Sequence, residues 1–267
     1  MKSSAASERK IITLTTDFGY KDPFVGEMRG VILSINQSVN IIDITHGIEP
    51  HNIAEGAFVI SSSYRYFPPG TIHIAVVDPG VGSGRRAIIM EADGHYFVGP
   101  DNGIFSYVMS FSARVKVTHI TEEKYFLSKD SPTFHGRDVF APAAAWLSRG
   151  IALKEFGCII KDYGKSEMPE PEVNKDGISG EVIYIDGFGN AVTNIKKSDL
   201  SEFGGRFYVK VKGKKVGRVK NYSQASDNKL HYLINSSGYL ELFVNMQSAS
   251  KLCYISKGEK ITILTKI

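Results

Sequence analysis

The chain has 267 residues, room for one large domain or two modest ones. With 42% hydrophobic and 22% charged residues, a core of useful size can form without staples. The net charge of +4 is spread along the chain and lacks the broad basic stripe of a nucleic-acid binder; no apolar run approaches the ~20 residues needed to span a bilayer.

Cys158 and Cys253 are the two cysteines, and neither sits in a C-x-x-C pair. That rules out a zinc ribbon or thioredoxin-like motif and fits a reducing, cytoplasmic compartment. Residues 1–9 are small and polar, without the apolar stretch of a signal peptide, and are read as a disordered tail.

Strand and helix signals then alternate. Ile11 to Thr16 is a β-branched strand. Phe24, Val25, Met28, Val31, Ile32 and Ile35 recur at helical spacing. Asn40 to Thr45 reads as a strand, and Ile53 to Tyr66 as a helix stopped by Pro68-Pro69-Gly70. Thr71 to Val77 and Ala87 to Met90 are buried-strand patterns, and the Ala-rich Phe140 to Leu147 is a helix. Strands separated by single helices predict a mainly parallel sheet flanked by helices on both faces. Met168-Pro169-Glu170-Pro171 is stiff and polar, a linker signal. Beyond it, Gly180 to Ile185, Ala191 to Ile195, Arg206 to Val211, Leu230 to Ile234, Tyr239 to Val244 and Lys260 to Leu264 predict a smaller all-β, barrel-like domain. The basic run Lys212, Lys214, Lys215 and Arg218 decorates an exposed hairpin. The predicted organisation is a tail over 1–9, an α/β domain over 10–166, a linker over 167–177 and a β domain over 178–267.

Chemistry concentrates in a few places. Asp17 follows the first strand, where a carboxylate can take two ribose hydroxyls or merely cap a turn. Val77-Asp78-Pro79-Gly80-Val81-Gly82-Ser83-Gly84-Arg85 runs a strand into a carboxylate, a glycine loop and an arginine. No G-K-[ST] follows, so a phosphate loop is disfavoured, and the loop can return Arg85 onto Asp78. His135, in Phe134-His135-Gly136-Arg137-Asp138, precedes a helix and titrates near neutrality; it faces a pocket or packs as a cap. Asp186-Gly187-Phe188-Gly189-Asn190 is a turn signal, yet Asn190 carries the donor and acceptor pair that reads an adenine edge. Asn235-Ser236-Ser237-Gly238 is a turn or a nest for a carboxylate. His73 and His119 lie within strands and read as structural. The histidines lack metal-ligand spacing, leaving a metal hydrolase of Asp17, His46 and Asp101 as a remote alternative.

Six segments occur in order: Thr16-Asp17-Phe18-Gly19, Asp43-Ile44-Thr45-His46, Val77 to Gly82, Gly99-Pro100-Asp101-Asn102-Gly103, Phe134 to Asp138, and Asp186 to Asn190. Together they resemble the S-adenosyl-L-methionine (SAM) hydroxide adenosyltransferases, relatives of the 5′-fluoro- and 5′-chloro-deoxyadenosine synthases, over roughly residues 11 to 265. The resemblance implies hydrolysis of SAM to adenosine and methionine, with no cofactor or metal. It implies a homotrimer whose sites lie between the N-terminal domain of one subunit and the C-terminal domain of the next. By motif, Asp78, Arg85 and His135 surround the attacking water. Asp17 would hold the ribose, Asn190 the adenine, Asp186 the methionine amine and Ser236 its carboxylate, with the backbone near Met246 lining the adenine. The halogenating relatives have a tyrosine where this chain has Asp78 and lack the match to Arg85 and His135. Ser237 departs from the arginine that relatives can carry. A halide-using transferase and a catalytically silent nucleoside-binding module are the alternatives.

Overall fold

The computed structural model describes residues 9–127, 133–201, 203 and 207–265. The segment read as a tail, apart from Arg9, and Arg206 of the predicted strand Arg206–Val211 lie outside the described residues. The chain divides into two compact units, Met1–Met168 and Pro169–Ile267.

In the first unit β1 (Ile11–Thr16) is buried along almost its whole length, as the unbroken β-branched run requires of a central parallel strand. α1 (Phe24–Ile35) buries Val25, Met28 and Ile32, one stripe at helical spacing. It is followed by β2 (Asn40–Thr45) and α2 (Ile53–Ser63), whose first turn is capped by Asn52 accepting from the Glu55 N–H. The predicted helix to Tyr66 ends as one 3₁₀ turn, Tyr64–Tyr66, because Phe67 before Pro68 is held extended. Then come β3 (Ile72–Val76), β4 (Ala87–Ala92), β5 (His95–Pro100), α3 (Ser106–Phe111), β6 (Val115–His119), α4 (Ala141–Ser148) and β7 (Ile159–Ile160).

The sheet order is β2-β1-β3-β5-β4-β6-β7. The first four strands run parallel; β4 is antiparallel to β5 and β6, and β6 to β7. Asp93 and Gly94 join β4 to β5 with φ of 51° and 78°. A two-residue turn of that kind can connect only antiparallel neighbours. Val25, Met28 and Ile32 of α1 and Ala141, Ala144 and Ala145 of α4 share one apolar cluster with one face of the sheet. Ile60 of α2 and Val108 of α3 share another with Ala75, Ile88 and Phe97. From β1 the chain steps to β2 on one side and returns to β3 on the other, so the strand order reverses between β1 and β3. In such sheets ligands bind at the carboxyl ends around that reversal.

His73 on β3 is fully buried, its Nδ1 at 2.8 Å from Thr13 Oγ1 and its Nε2 at 3.3 Å from His95 Nδ1. Burial, then the neighbouring His95, pushes its pKa down to about 3. His46, just past β2, is pushed down to about 4 by burial and then by Arg29. Both bind a proton more weakly folded than unfolded. Their contribution to stability is full above about pH 6.5 and is lost as the pH falls toward the folded values, at about 1.4 kcal/mol per pH unit per histidine. Urea midpoints therefore fall between pH 6.5 and 5, above the range of most carboxylates; a flat profile there would show that the two histidines titrate normally.

The second unit contains β8 (Glu172–Asn174), β9 (Gly177–Ile185), β10 (Ala191–Lys196), β11 (Phe207–Val211), β12 (Lys214–Arg218), β13 (His231–Ile234), β14 (Tyr239–Phe243) and β15 (Lys260–Thr265). The order β10-β14-β13-β12-β11-β15-β9 closes on itself because β9 also pairs β10, giving a seven-stranded barrel with β8 appended to β9. β9 serves two partners in turn, β15 over Gly177–Glu181 and β10 over Val182–Ile185. The corner falls at Gly180, where a Cβ would lie 2.5 Å from both Asn194 Oδ1 and Ile195 Cγ1. Ile178, Val209, Leu240, Leu242, Ile261 and Ile263 fill the interior. Lys212 and Gly213, with φ of 49° and 75°, turn β11 into β12, and the basic run does decorate this hairpin.

Candidate active site

Four of the sequence motifs fall at the carboxyl ends of the parallel strands: His46 after β2, Asp17 after β1, Asp78 after β3 and Asp101 after β5. The β1–β3 register places Thr16 opposite Val76, so Asp17 and Asp78 leave neighbouring strands at the same edge. Asp17 does not cap its own turn; Thr16 Oγ1 takes the Phe18 N–H at 3.2 Å. Asp17 Oδ2 instead accepts the His51 N–H at 2.9 Å, from a residue held at φ 68°. Among the described residues Asp17 Oδ1 accepts no hydrogen bond, so half of this carboxylate is open to a ligand.

Asp78 and Arg85 form a two-pronged ion pair across their loop: Nε donates to Oδ1 at 2.9 Å and Nη2 donates to Oδ2. Their side chains are 5% and 9% exposed, so this is a buried pair, worth far more to disrupt than a surface one. Arg85 Nη2 also donates to His135 Nδ1 at 2.7 Å, Nη1 donates to the Arg86 carbonyl at 3.3 Å, and the guanidinium lies 5.2 Å over the Phe140 ring. A guanidinium has five N–H donors and no acceptor. Among the described residues four are engaged, and the one remaining is on Nη1.

The same fact fixes the state of His135. Its Nδ1 must be the unprotonated acceptor, so the ring is neutral with the proton on Nε2. Burial first, and Arg85 second, lower its pKa below the ordinary 6.5, against smaller opposing effects of Asp78 and Asp138. His135 stands at the head of a π-helical turn, Gly136–Phe140, that leads into α4. Phe134 packs edge-on against Phe18 and Phe24, at centroid distances of 5.7 and 5.2 Å, which ties the histidine segment to the Asp17 loop.

His46 turns away from Asp17. Its Nδ1 is 2.8 Å from Thr16 Oγ1 and its Nε2 3.3 Å from Asp43 Oδ1, while Asp43 Oδ2 takes Arg29 and Tyr20. Asp101 binds Arg86 and the Gly164 N–H. Asp17, His46 and Asp101 thus serve separate partners, and among the described residues no three His, Cys, Asp or Glu are grouped to hold a metal ion.

In the barrel unit the turn after β9 is organised by Asp186. Its Oδ1 accepts the Phe188 and Asn190 N–H groups at 2.9 and 2.8 Å, and its Oδ2 accepts Asn190 Nδ2 at 3.0 Å. Asn190 is buried and keeps its side-chain carbonyl and second amide hydrogen clear of Asp186. Gly189 of this turn lies so close to Ser248 that a Cβ would come within 2.0 Å of its Oγ. Met246, at φ 57° and 95% exposed, is therefore on a turn adjoining Asp186 and Asn190. Ser236 is not. It tops the β13–β14 turn, where Lys196 pairs Tyr239, whereas Ala191 pairs Leu242 at the Asn190 end. The two pairs lie three positions apart on β14, roughly 10 Å. Asn235 builds the Ser236 turn by accepting the Ser237 and Tyr239 N–H groups, both at 3.0 Å.

Sequence reasoning missed Glu241. It is buried on the outer side of β14, where its carboxylate accepts Tyr222 Oη–H at 2.7 Å and Asn235 Nδ2 at 3.0 Å. A glutamate between Leu240 and Leu242 looks like ordinary strand alternation, and only the covering Tyr222 makes it interior. Burial and Glu241 raise the Tyr222 pKa, so this hydroxyl stays protonated and donates.

The chain matches the family models for the SAM hydroxide adenosyltransferase N-terminal domain over residues 12–157 and C-terminal domain over residues 180–262. It is 41% identical to a Methanocaldococcus jannaschii protein named (R)-S-adenosyl-L-methionine hydrolase, over 95% of each chain. A Thermus thermophilus protein of the same name is 31% identical, covering 93% of this chain and 97% of the relative. An Actinoplanes fluorinase is 26% identical, with 97% and 98% covered. An uncharacterized conserved protein of Thermotoga maritima superposes with a TM-score of 0.90 at 36% identity, covering 95% of this chain and 99% of its own. Two domain models in order, together with relatives aligned almost end to end, establish that the chain belongs to the SAM hydroxide adenosyltransferase family.

Proposed function

We propose that this protein hydrolyses SAM to adenosine and L-methionine. The observation that carries the reading is the buried Asp78–Arg85–His135 set, one free guanidinium N–H beside a neutral imidazole. Methionine leaves from a sulfonium as a neutral thioether and needs no acid. The difficulty is the nucleophile, and a site for it must position water and favour its deprotonation. Arg85 is permanently protonated and is no base. In this mechanism water enters beside Arg85, accepts the free Nη1–H, and takes the place of Nη2 at His135. Its oxygen bonds to the ribose C5′ as the C5′–S bond breaks, the electron pair goes to sulfur, and the proton goes to His135 Nδ1 and then to solvent. Asp78 holds Arg85. Asp17 holds the ribose hydroxyls, Asn190 the adenine with the Met246 backbone, Asp186 the methionine amine and Ser236 the carboxylate.

The relatives' name directs attention to the (R) form at sulfur, which we take as the substrate here. No cofactor enters this scheme: the lone pair of His135 and the carboxylate of Asp78 are both committed to a cation, which disfavours a metal ion beside them. The active form is a cytoplasmic homotrimer, each site using the α/β domain (10–166) of one subunit and the β domain (178–267) of the next, with 167–177, which carries β8, between them in the chain. Against halide use stands the Nδ1 lone pair of His135, which can take a proton from water and has none to offer a halide. A silent binding module would keep Asp17 and Asn190 without requiring Asp78, Arg85 and His135 together.

Incubation with the separated sulfonium epimers, with and without chloride, tests this by chromatography of the products. Adenosine and methionine are expected in equal amounts, faster from the (R) epimer, unchanged by a chelator. A chlorinated nucleoside, or activity lost to chelator and restored by a divalent ion, would overturn the mechanism.

A further inference from the structure

The segment Gly99–Gly103 takes no part in the reaction as written, yet two of its residues hold both ends of the loop that carries Asp78 and Arg85. The β3–β5 ladder runs from Ile72 opposite Tyr96 to Ile74 opposite Val98. Past that point Asn102 supplies with its side chain what the ladder no longer provides. Its Nδ2 donates to the carbonyl of Val77, the residue before Asp78, at 2.8 Å, and its Oδ1 accepts the Ile104 N–H at 3.2 Å. Asp101 grips the other end. Its Oδ2 accepts Arg86 Nε at 2.8 Å, its Oδ1 accepts the Gly164 N–H at 2.6 Å, and its own N–H donates to the Arg86 carbonyl at 2.9 Å.

That Arg86 carbonyl is the one that accepts Arg85 Nη1. It therefore selects which Arg85 hydrogen is engaged and which is left for the nucleophile. Within the loop the backbone bonds are two turn contacts, Val81 N–H to the Asp78 carbonyl at 3.2 Å and Ser83 N–H to the Gly80 carbonyl at 3.1 Å, and residues 81–84 are exposed. A loop with an exposed middle takes its geometry from its anchors.

We propose that Asp101 and Asn102 are positioning residues for the hydrolysis, bracing the two ends of the 78–85 loop so that Arg85 meets His135 with one Nη1 hydrogen free. The inference rests on the reaction proposed above. Asn102→Asp isolates one bond: the acceptor for the Ile104 N–H stays, while the donor facing the Val77 carbonyl becomes an anion. A catalytic group displaced by about 1 Å loses on the order of a hundredfold in rate. We expect that loss in kcat for Asn102→Asp, with the KM for SAM within about threefold. Asp101→Asn, nearly isosteric, should lose about tenfold, the scale of one charge-assisted hydrogen bond.

A second readout does not depend on turnover. The charged groups acting on the His135 ring are Arg85, which lowers its pKa, and Asp78 and Asp138, which oppose it, all on a background of burial. If Arg85 drifts from His135 when the brace is cut, the ring should titrate closer to its ordinary value. NMR titration of His135 in folded Asn102→Asp and Asp101→Asn would show this upward shift. Unchanged kcat in both variants, or a lower melting temperature with the His135 titration unmoved, would reduce the pair to a structural role and overturn the proposal. Should Asn102→Asp fail to fold, Asp101→Asn carries the same two measurements. A wild-type protein that makes no adenosine would defeat the proposed function, while the His135 titration would still decide the brace.

Discussion

Replacing Arg85 by alanine lowers kcat by about two to three decades while leaving SAM affinity nearly intact, if the free Nη1 hydrogen acts mainly on the nucleophile. Loss of one such donor in a dry site costs ~3–4 kcal/mol of transition-state stabilisation. An interaction made chiefly in the transition state appears in kcat and not in ground-state binding. The substitution also strands the Asp78 carboxylate, which is 5% exposed, so the variant loses stability as well, and rates must be compared well below its melting temperature. Asp17→Ala should behave oppositely. Its open Oδ1 would meet ribose hydroxyls already in the ground state, so binding weakens. Calorimetric titration of both variants with SAM, paired with single-turnover rates, separates the roles. An Arg85→Ala protein that binds poorly yet turns over normally at saturation would make Arg85 a substrate clamp.

Mixing Asp17→Ala with Asn190→Ala, at a SAM concentration where each alone is nearly inactive, should restore activity if the protein is the proposed trimer and its subunits are dissociated and reassembled. In a ring of identical head-to-tail interfaces each site would take Asp17 from one subunit and Asn190 from its neighbour. Random assembly at equal amounts then leaves about one site in four with both residues intact. Activity near that fraction of wild type supports shared sites. Mixed trimers verified by mass spectrometry but still inactive would place both residues in the site of a single subunit. Asn190→Ala also removes a partner from Asp186 Oδ2, so the variant's barrel must be checked for folding before mixing.

Local chemistry made much of this chain readable without coordinates. The helix predicted from Phe24 to Ile35 and the strand from Asn40 to Thr45 coincide with α1 and β2, because a one-sided apolar stripe and a short β-branched run each depend on neighbours in sequence. The Lys212–Gly213 hairpin and the Asp186 turn were legible for the same reason: a left-handed backbone position selects its residues locally. Asp78, Arg85 and His135 were named from motifs, and the folded chain gathers them within hydrogen-bond reach.

What stayed illegible depends on partners distant in sequence. Asp93-Gly94 is itself a hairpin signal, but a turn signal does not say that β5 will pair β3 on its far side and so place Asp101 and Asn102 beside the Asp78 loop. Closure of the barrel rests on β9 changing partners at Gly180, a steric requirement set by Asn194 and Ile195. Glu241 gave no sign of burial until Tyr222 covered it. The state of the site was settled last. Residue types alone name a base, a cation and a carboxylate. Only the tertiary structure commits four of the five Arg85 hydrogens among the described residues, leaves one on Nη1, and makes His135 a neutral acceptor, because hydrogen-bond capacity is divided by distance and direction in space, not by order along the chain.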